Sequence, residues 1–147
     1  MYKHILIPTD GTPTAEKAVA AGLKFAKWAK AKVTVFTEMP EYRIPTTSEV
    51  AAGKVMSIAE YERRAKAQGQ RLLDKVARRA RVAGVRLDAE TALSDRPAEA
   101  IVAAAKKNGC DLIFIGSHGR KGLAALLLGS QTHEVLSRSR IPTLVYR

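Results

Sequence analysis

Three short stretches of this chain carry residues suited to holding a phosphate. Thr9-Asp10-Gly11-Thr12 follows the apolar run that ends at Pro8, and Gly116-Ser117-His118-Gly119-Arg120-Lys121-Gly122 follows the run that ends at Ile115. Gly129-Ser130 stands ten residues beyond Gly119. Glycine lets a chain turn sharply and brings backbone N–H groups close to a ligand, and successive N–H groups in such a turn form an anion-binding nest. The residues from Gln131 read as a helix, so Gly129-Ser130 would add unpaired N–H groups, a positive dipole end and a hydroxyl. Two donor-rich turns facing one crevice fit a polyphosphate better than a single carboxylate. Two familiar nucleotide motifs are missing: there is no G-x-x-x-x-G-K-[ST], and no G-x-G-x-x-G follows the first apolar run.

The reactive side chains near these turns each have two readings. Asp10 either caps its own turn or joins a Mg²⁺ ion, which takes one or two carboxylates together with phosphates. His118 either touches a phosphate or gives a proton, or it makes a structural bond within its loop. Arg120 and Lys121 either pair with phosphates or are solvated. His4 and His133 stand apart, with no third ligand spaced for zinc. Cys110, the single cysteine, precedes an apolar run and reads as a small core residue. One thiol builds no intramolecular disulfide, so a reducing cytoplasm is expected. Phe25 and Trp28 read as packing residues of the first helix.

The elements that must position these residues alternate regularly. Lys3–Pro8 and Asp111–Ile115 are nearly continuous apolar runs, as expected of strands covered on both faces. Lys32–Thr37, Val85–Ala92 and Thr143–Tyr146 complete five expected strands. Helical patterns span Pro13–Lys30, with Thr12 as N-cap and Pro13 in the first turn, then Ile58–Val82, ended near Gly84. Two more span Arg96–Lys107, started by Asp95, and Gln131–Ser137. Tyr42–Lys54 shows little periodicity and reads as a mobile loop. Strands alternating with helices predict a parallel sheet with right-handed crossovers. Five strands and about four helices suit a flavodoxin-like or Rossmann-like doubly wound α/β sheet, in one domain over residues 1–147, and if the order is 3-2-1-4-5, strands one and four are neighbours. Such sheets bind ligands at the carboxyl ends of the strands where the winding reverses, here just after Pro8 and just after Ile115.

Composition narrows the class. Hydrophobic residues make up 46% and charged residues 27%, which suits a soluble globular chain. No apolar run approaches the roughly 20 residues of a membrane span, and the first residues do not read as a secretory signal. The net charge is +11, and Lys54–Arg86 holds ten Lys or Arg against three acids. That stretch reads first as a solvated helix face. It has one aromatic residue, Tyr61, and lacks the stacking platforms of single-strand binders, so nucleic acid is not the expected partner.

At this point a specific resemblance enters. Gly116-x2-Gly119-x9-Gly129-Ser130 resembles the signature of the ATP-binding branch of the universal stress protein family. ILIPTDGT near the start, LIFIGSHGRKGLAALLLGS in the second half and IPTLVYR at the end are similar to that family in the same order, across essentially the whole chain. The resemblance implies a Rossmann-like fold in which Gly116, Gly119, Gly129 and Ser130 hold the phosphates of ATP, with ADP or AMP as alternatives. It implies Asp10 beside the ribose and phosphates, with Pro8 and Thr9 lining the pocket and the adenine at backbone near Thr37 and Glu38. Family members usually carry an apolar residue where Glu38 stands, and often Val where Gln131 stands. Thr132 would be a further hydroxyl donor. The implied role is a nucleotide-dependent regulator of the stress response with a signalling partner, and hydrolysis slow at most. The alternatives are a slow ATPase or nucleotidyl enzyme, and a basic nucleic-acid-associated stress protein. It also implies a homodimer paired through Thr143–Tyr146, with Leu144 and Tyr146 as contacts.

Overall fold

Apolar runs and capped helices alternate along the chain, and the computed structural model, which describes residues 1–117 and 128–147, turns that alternation into a layered sheet. In chain order the elements are β1 (His4–Pro8), α1 (Pro13–Ala29), β2 (Lys32–Met39), α2 (Thr47–Ala51), α3 (Ile58–Ala83), β3 (Leu87–Leu93), α4 (Pro97–Lys107), β4 (Leu112–Gly116), α5 (Ser130–Arg138) and β5 (Thr143–Tyr146). The sheet order is β3-β2-β1-β4-β5 and every pairing is parallel, as the sequence led us to expect. Ile5, Leu6 and Ile7 are fully buried, because β1 sits mid-sheet with helices on both faces. One core lies under α1 and α3 around Ile7, Val19, Val35 and Leu73. The other lies under α4 and α5 around Leu6, Phe36, Ile101 and Val135.

Helix ends follow from local chemistry. The Thr12 hydroxyl accepts from the Ala15 N–H at 3.3 Å, satisfying one donor of the first turn of α1. Ser57 does the same for α3 through the Glu60 N–H at 3.1 Å, and Gly84, at φ 72°, ends it in the left-handed region.

The structure corrects four local expectations. The segment 42–54 contains a helix, α2, in place of a plain loop. Thr46 and Glu49 form a reciprocal capping box, and Arg43 grips Glu49 with two bonds of 3.1 and 2.7 Å. β3 runs Leu87–Leu93, two residues later than expected at its start, because the Val85 N–H still bonds the Ala80 carbonyl beyond α3. Arg96, and not Asp95, is the N-cap of α4; Asp95 instead accepts from the Glu41 N–H at 3.0 Å. Trp28 is 69% exposed and only leans on Phe25, at 5.8 Å between ring centroids, so it is not a core residue.

Candidate functional site

β1 and β4 are adjacent, with Ile5 opposite Leu112 and Leu6 opposite Ile113. Their carboxyl ends therefore bring Pro8 and Thr9 beside Ile115, Gly116 and Ser117 at the point where the winding reverses. Pro8 and Ile115 are buried, closing the floor of the crevice. Thr9 is buried too: its N–H donates to the Phe36 carbonyl at 2.8 Å and its hydroxyl accepts from the Gly11 N–H at 3.2 Å. Gly11 sits at φ 76°, a conformation that glycine adopts without strain. Asp10 is exposed, and its Oδ1 accepts from both the backbone N–H of Thr12 at 3.0 Å and its hydroxyl at 2.7 Å. The aspartate thus holds the turn that leads into α1 and presents a carboxylate at the crevice rim.

On the other wall, α5 begins at Ser130 with Gly129 as N-cap, and no side chain caps its first turn. Its leading N–H groups keep hydrogen-bonding capacity for an anion, favoured by the dipole. Ser130 is exposed. Thr132, 1% exposed, donates its hydroxyl to the Gly116 carbonyl at 3.2 Å. That bond ties the start of α5 to the end of β4, so the hydroxyl sets the geometry of the wall. Gln131 turns away, its Oε1 accepting from the Ala98 N–H at 3.2 Å in the first turn of α4. The missing side-chain cap of α4 is supplied in this way from α5.

Gly116 has a structural reason of its own. A Cβ there would stand 2.9 Å from the Cβ of Ala18 on α1, so the glycine lets that helix approach β4. Glu38 occupies the carboxyl end of β2 and is half-buried. Burial pushes its carboxyl above the usual range, and the negative charge of Asp10 adds to that shift. Two carboxyl groups therefore face the same end of the sheet, which adds to the value of cationic or N–H donors there. His118, Gly119, Arg120 and Lys121 lie outside the described residues.

Among the described residues no group of three or more His, Cys, Asp or Glu could hold a metal ion. Asp10 alone would fit only a cation that draws its other ligands from phosphate oxygens and water, as Mg²⁺ does. His4 is a strand residue whose Nε2 meets the Thr34 hydroxyl at 2.8 Å; burial and nearby Lys32 lower its pKa. Cys110 is buried, and burial pushes its thiol up to about 11, so it is no nucleophile at neutral pH. Sequence reasoning missed the part played by Thr12 as the partner of Asp10 and the reach of Gln131 to α4. The Asp-x-Thr spacing signals the first as an Asx-type turn; nothing local signals the second.

With this geometry in hand, comparisons place the chain among known proteins. The sequence model of the universal stress protein family matches residues 1–147. The chain is 31% identical to universal stress protein YxiE of Bacillus subtilis, with the alignment covering 100% of both chains. The solved structure of MJ0577 from Methanocaldococcus jannaschii superposes with a TM-score of 0.77 at 27% identity, covering 99% of this chain and 95% of that one. A universal stress protein solved in complex with cAMP shares the fold, with a TM-score of 0.70 at 24% identity over 99% of this chain and 97% of that one. Among the described residues, no helix is long and apolar enough to cross a membrane.

Proposed function

This chain belongs to the universal stress protein family, and from that premise we propose that it binds an adenine nucleotide, ATP foremost, in the crevice between β1 and β4. The observation that carries the reading is the uncapped start of α5, Gly129-Ser130, tied by the Thr132 hydroxyl to Gly116 at the end of β4. An N-terminus held at a strand end beside the Thr9-Asp10 turn suits a phosphate chain lying across both. In this reading Gly116, Gly119, Gly129 and Ser130 serve the phosphates, together with His118 and Arg120. Asp10 stands beside the ribose, sharing Mg²⁺ with the phosphates, while Pro8, Thr9 and Ile115 form the floor. Glu38 and Thr37 border the base. Gln131 and Thr132 act by positioning, one through Ala98 and the other through Gly116. The family member solved with cAMP holds an adenine nucleotide on the same fold, which is consistent with this reading.

The function that follows is a nucleotide-dependent regulator of the stress response, acting in the cytoplasm as one domain over the whole chain. Nucleotide occupancy would order the crevice walls and so set what a signalling partner meets. β5 has β4 on one side and no further described strand on the other. That open edge, carrying half-buried Leu144 and the exposed ring of Tyr146, suits antiparallel pairing with a second copy.

The test is denaturing extraction of the purified protein with mass spectrometry of released nucleotide, then calorimetric titration of the emptied protein with ATP and Mg²⁺. Saturable binding near one ATP per chain is expected, and its loss in a Gly119→Val, Gly129→Val double variant that melts as the wild type does. Wild-type affinity in that variant would remove the assignment.

A further inference from the structure

The charge of this chain is concentrated on one layer, which the sequence divides between two distant segments. α1 with its C-cap contributes four lysines and α3 eight Lys or Arg, against Glu16, Glu60, Glu62 and Asp74. The surplus of eight accounts for most of the chain's net +11. Both helices cover the same face of the sheet, and Arg79 of α3 meets Glu16 of α1 at 3.5 Å, so they lie side by side. The other acids of the layer are partly engaged. Glu60 pairs with Arg63 and Arg64 at 2.8 and 2.7 Å, and Asp74 accepts from Gln70 at 2.8 Å.

Two rows of cations remain. Lys17, Lys24 and Lys27 on α1, and Arg71, Lys75 and Arg78 on α3, are all exposed and have no ion pair among the described residues. Spacings of seven and ten residues on α1, and of four and seven on α3, keep each row on one side of its helix. The α1 row extends for about 15 Å and the α3 row for about 10 Å at 1.5 Å per residue. Packed helix axes lie about 8–10 Å apart, and long side chains splay beyond that. This separation suits the phosphate rows that border a duplex groove about 12 Å wide.

We infer that the α1–α3 layer is a sequence-independent docking surface for duplex nucleic acid, separate from the crevice and independent of the nucleotide-binding reading. The two rows neutralise phosphates on either side of a groove, and they carry no set of side chains arranged to read base edges. Single strands are a poorer fit because they need a series of stacking rings, and the layer exposes one large ring, Trp28. Phe25 turns toward Phe114 of β4, with centroids 6.0 Å apart, and Trp28 leans on Phe25. An anionic bilayer is a poorer fit because interfacial helices bury a continuous apolar face, whereas the exposed large hydrophobics of the two helices are scattered: Trp28 on α1, and Ile58 and Val82 at opposite ends of α3.

The experiment is fluorescence anisotropy of the full chain with a labelled DNA duplex of about two helical turns, between roughly 50 and 200 mM salt. Six phosphate contacts predict a slope of log K against log salt near −5, at about −0.9 per contact. Lys24→Glu, Lys75→Glu and Arg78→Glu together should weaken binding at least about 100-fold and bring the slope to about half. The same three positions changed to Gln give a milder loss and guard against misfolding of the reversed-charge variant. Lys106→Glu, Lys107→Glu and Arg138→Glu, on the opposite layer, should change the affinity much less. The inference is overturned by no duplex binding, by binding only to phosphatidylserine vesicles, or by an α1–α3 variant that binds like the wild type.

Discussion

Gly116→Ala separates two explanations of the same glycine. The added Cβ would lie 2.9 Å from the Ala18 Cβ and 3.7 Å from the Thr14 carbonyl oxygen. Carbon atoms in contact settle near 3.5–4.0 Å, and neither the first turns of α1 nor the buried end of β4 has a flexible side-chain tip to yield. The helix must shift by roughly half an ångström or more, and such overpacking costs about 1–3 kcal/mol. For 147 residues the entropy of unfolding near 2.1 cal/mol/K per residue makes each kcal/mol about 3 °C, so Tm should fall by about 3–9 °C. Ala18→Gly alone should cost about 1–2 kcal/mol, from helix propensity and the lost buried methyl. In the double variant the new methyl occupies the space vacated on α1, and it should melt close to Ala18→Gly alone. The favourable coupling, about 1–3 kcal/mol, is measured by thermal melts of all four proteins. Additive losses would refute the steric argument. ATP titration of the rescued double variant then asks the second question: restored fold with lost binding would show that phosphate, too, needs a bare backbone at this position.

The remaining predictions concern titration and reactivity. The carboxyl of Glu38 is raised above 4.5 by burial and by Asp10. A raised carboxyl stabilises the fold below its unfolded pKa and loses that contribution as pH rises through its folded pKa. Glu38→Gln should therefore melt higher than the wild type at pH 7, with the gap closing toward pH 4.5; an unchanged gap across that range would contradict the burial of this group. Cys110, with its thiol pushed up to about 11, should resist a disulfide reagent at pH 8 until the chain unfolds. Labelling at the rate of a free thiol in the native protein would show that the β4 entrance is open.

The sequence alone determined the alternation of strands and helices and the central place of two strands. Continuous apolar runs at Ile5–Ile7 and Leu112–Ile115 leave no solvent face, so those strands had to be central, and Thr12 and Gly84 mark helix ends through bonds made within a few residues. The Thr9-Asp10-Gly11-Thr12 and Gly129-Ser130 turns were legible for the same reason: turn chemistry is local. Even α2 had a local signal, the Thr46-x-x-Glu49 capping box, but five residues are too few for a periodicity to show. The tertiary structure decided what depends on partners distant in the chain. Gln131 looks like a phosphate neighbour in sequence and becomes the cap of α4, because only folding brings residue 98 within 3.2 Å. Gly116 looks like a ligand glycine and also proves to be the place where α1 touches β4. The basic stretch of α3 looks like one solvated helix until α1 lies beside it. Charge patterns along a chain show the sign of a helix face, but only crossovers that stack two helices on one side of a sheet decide which faces merge into a surface.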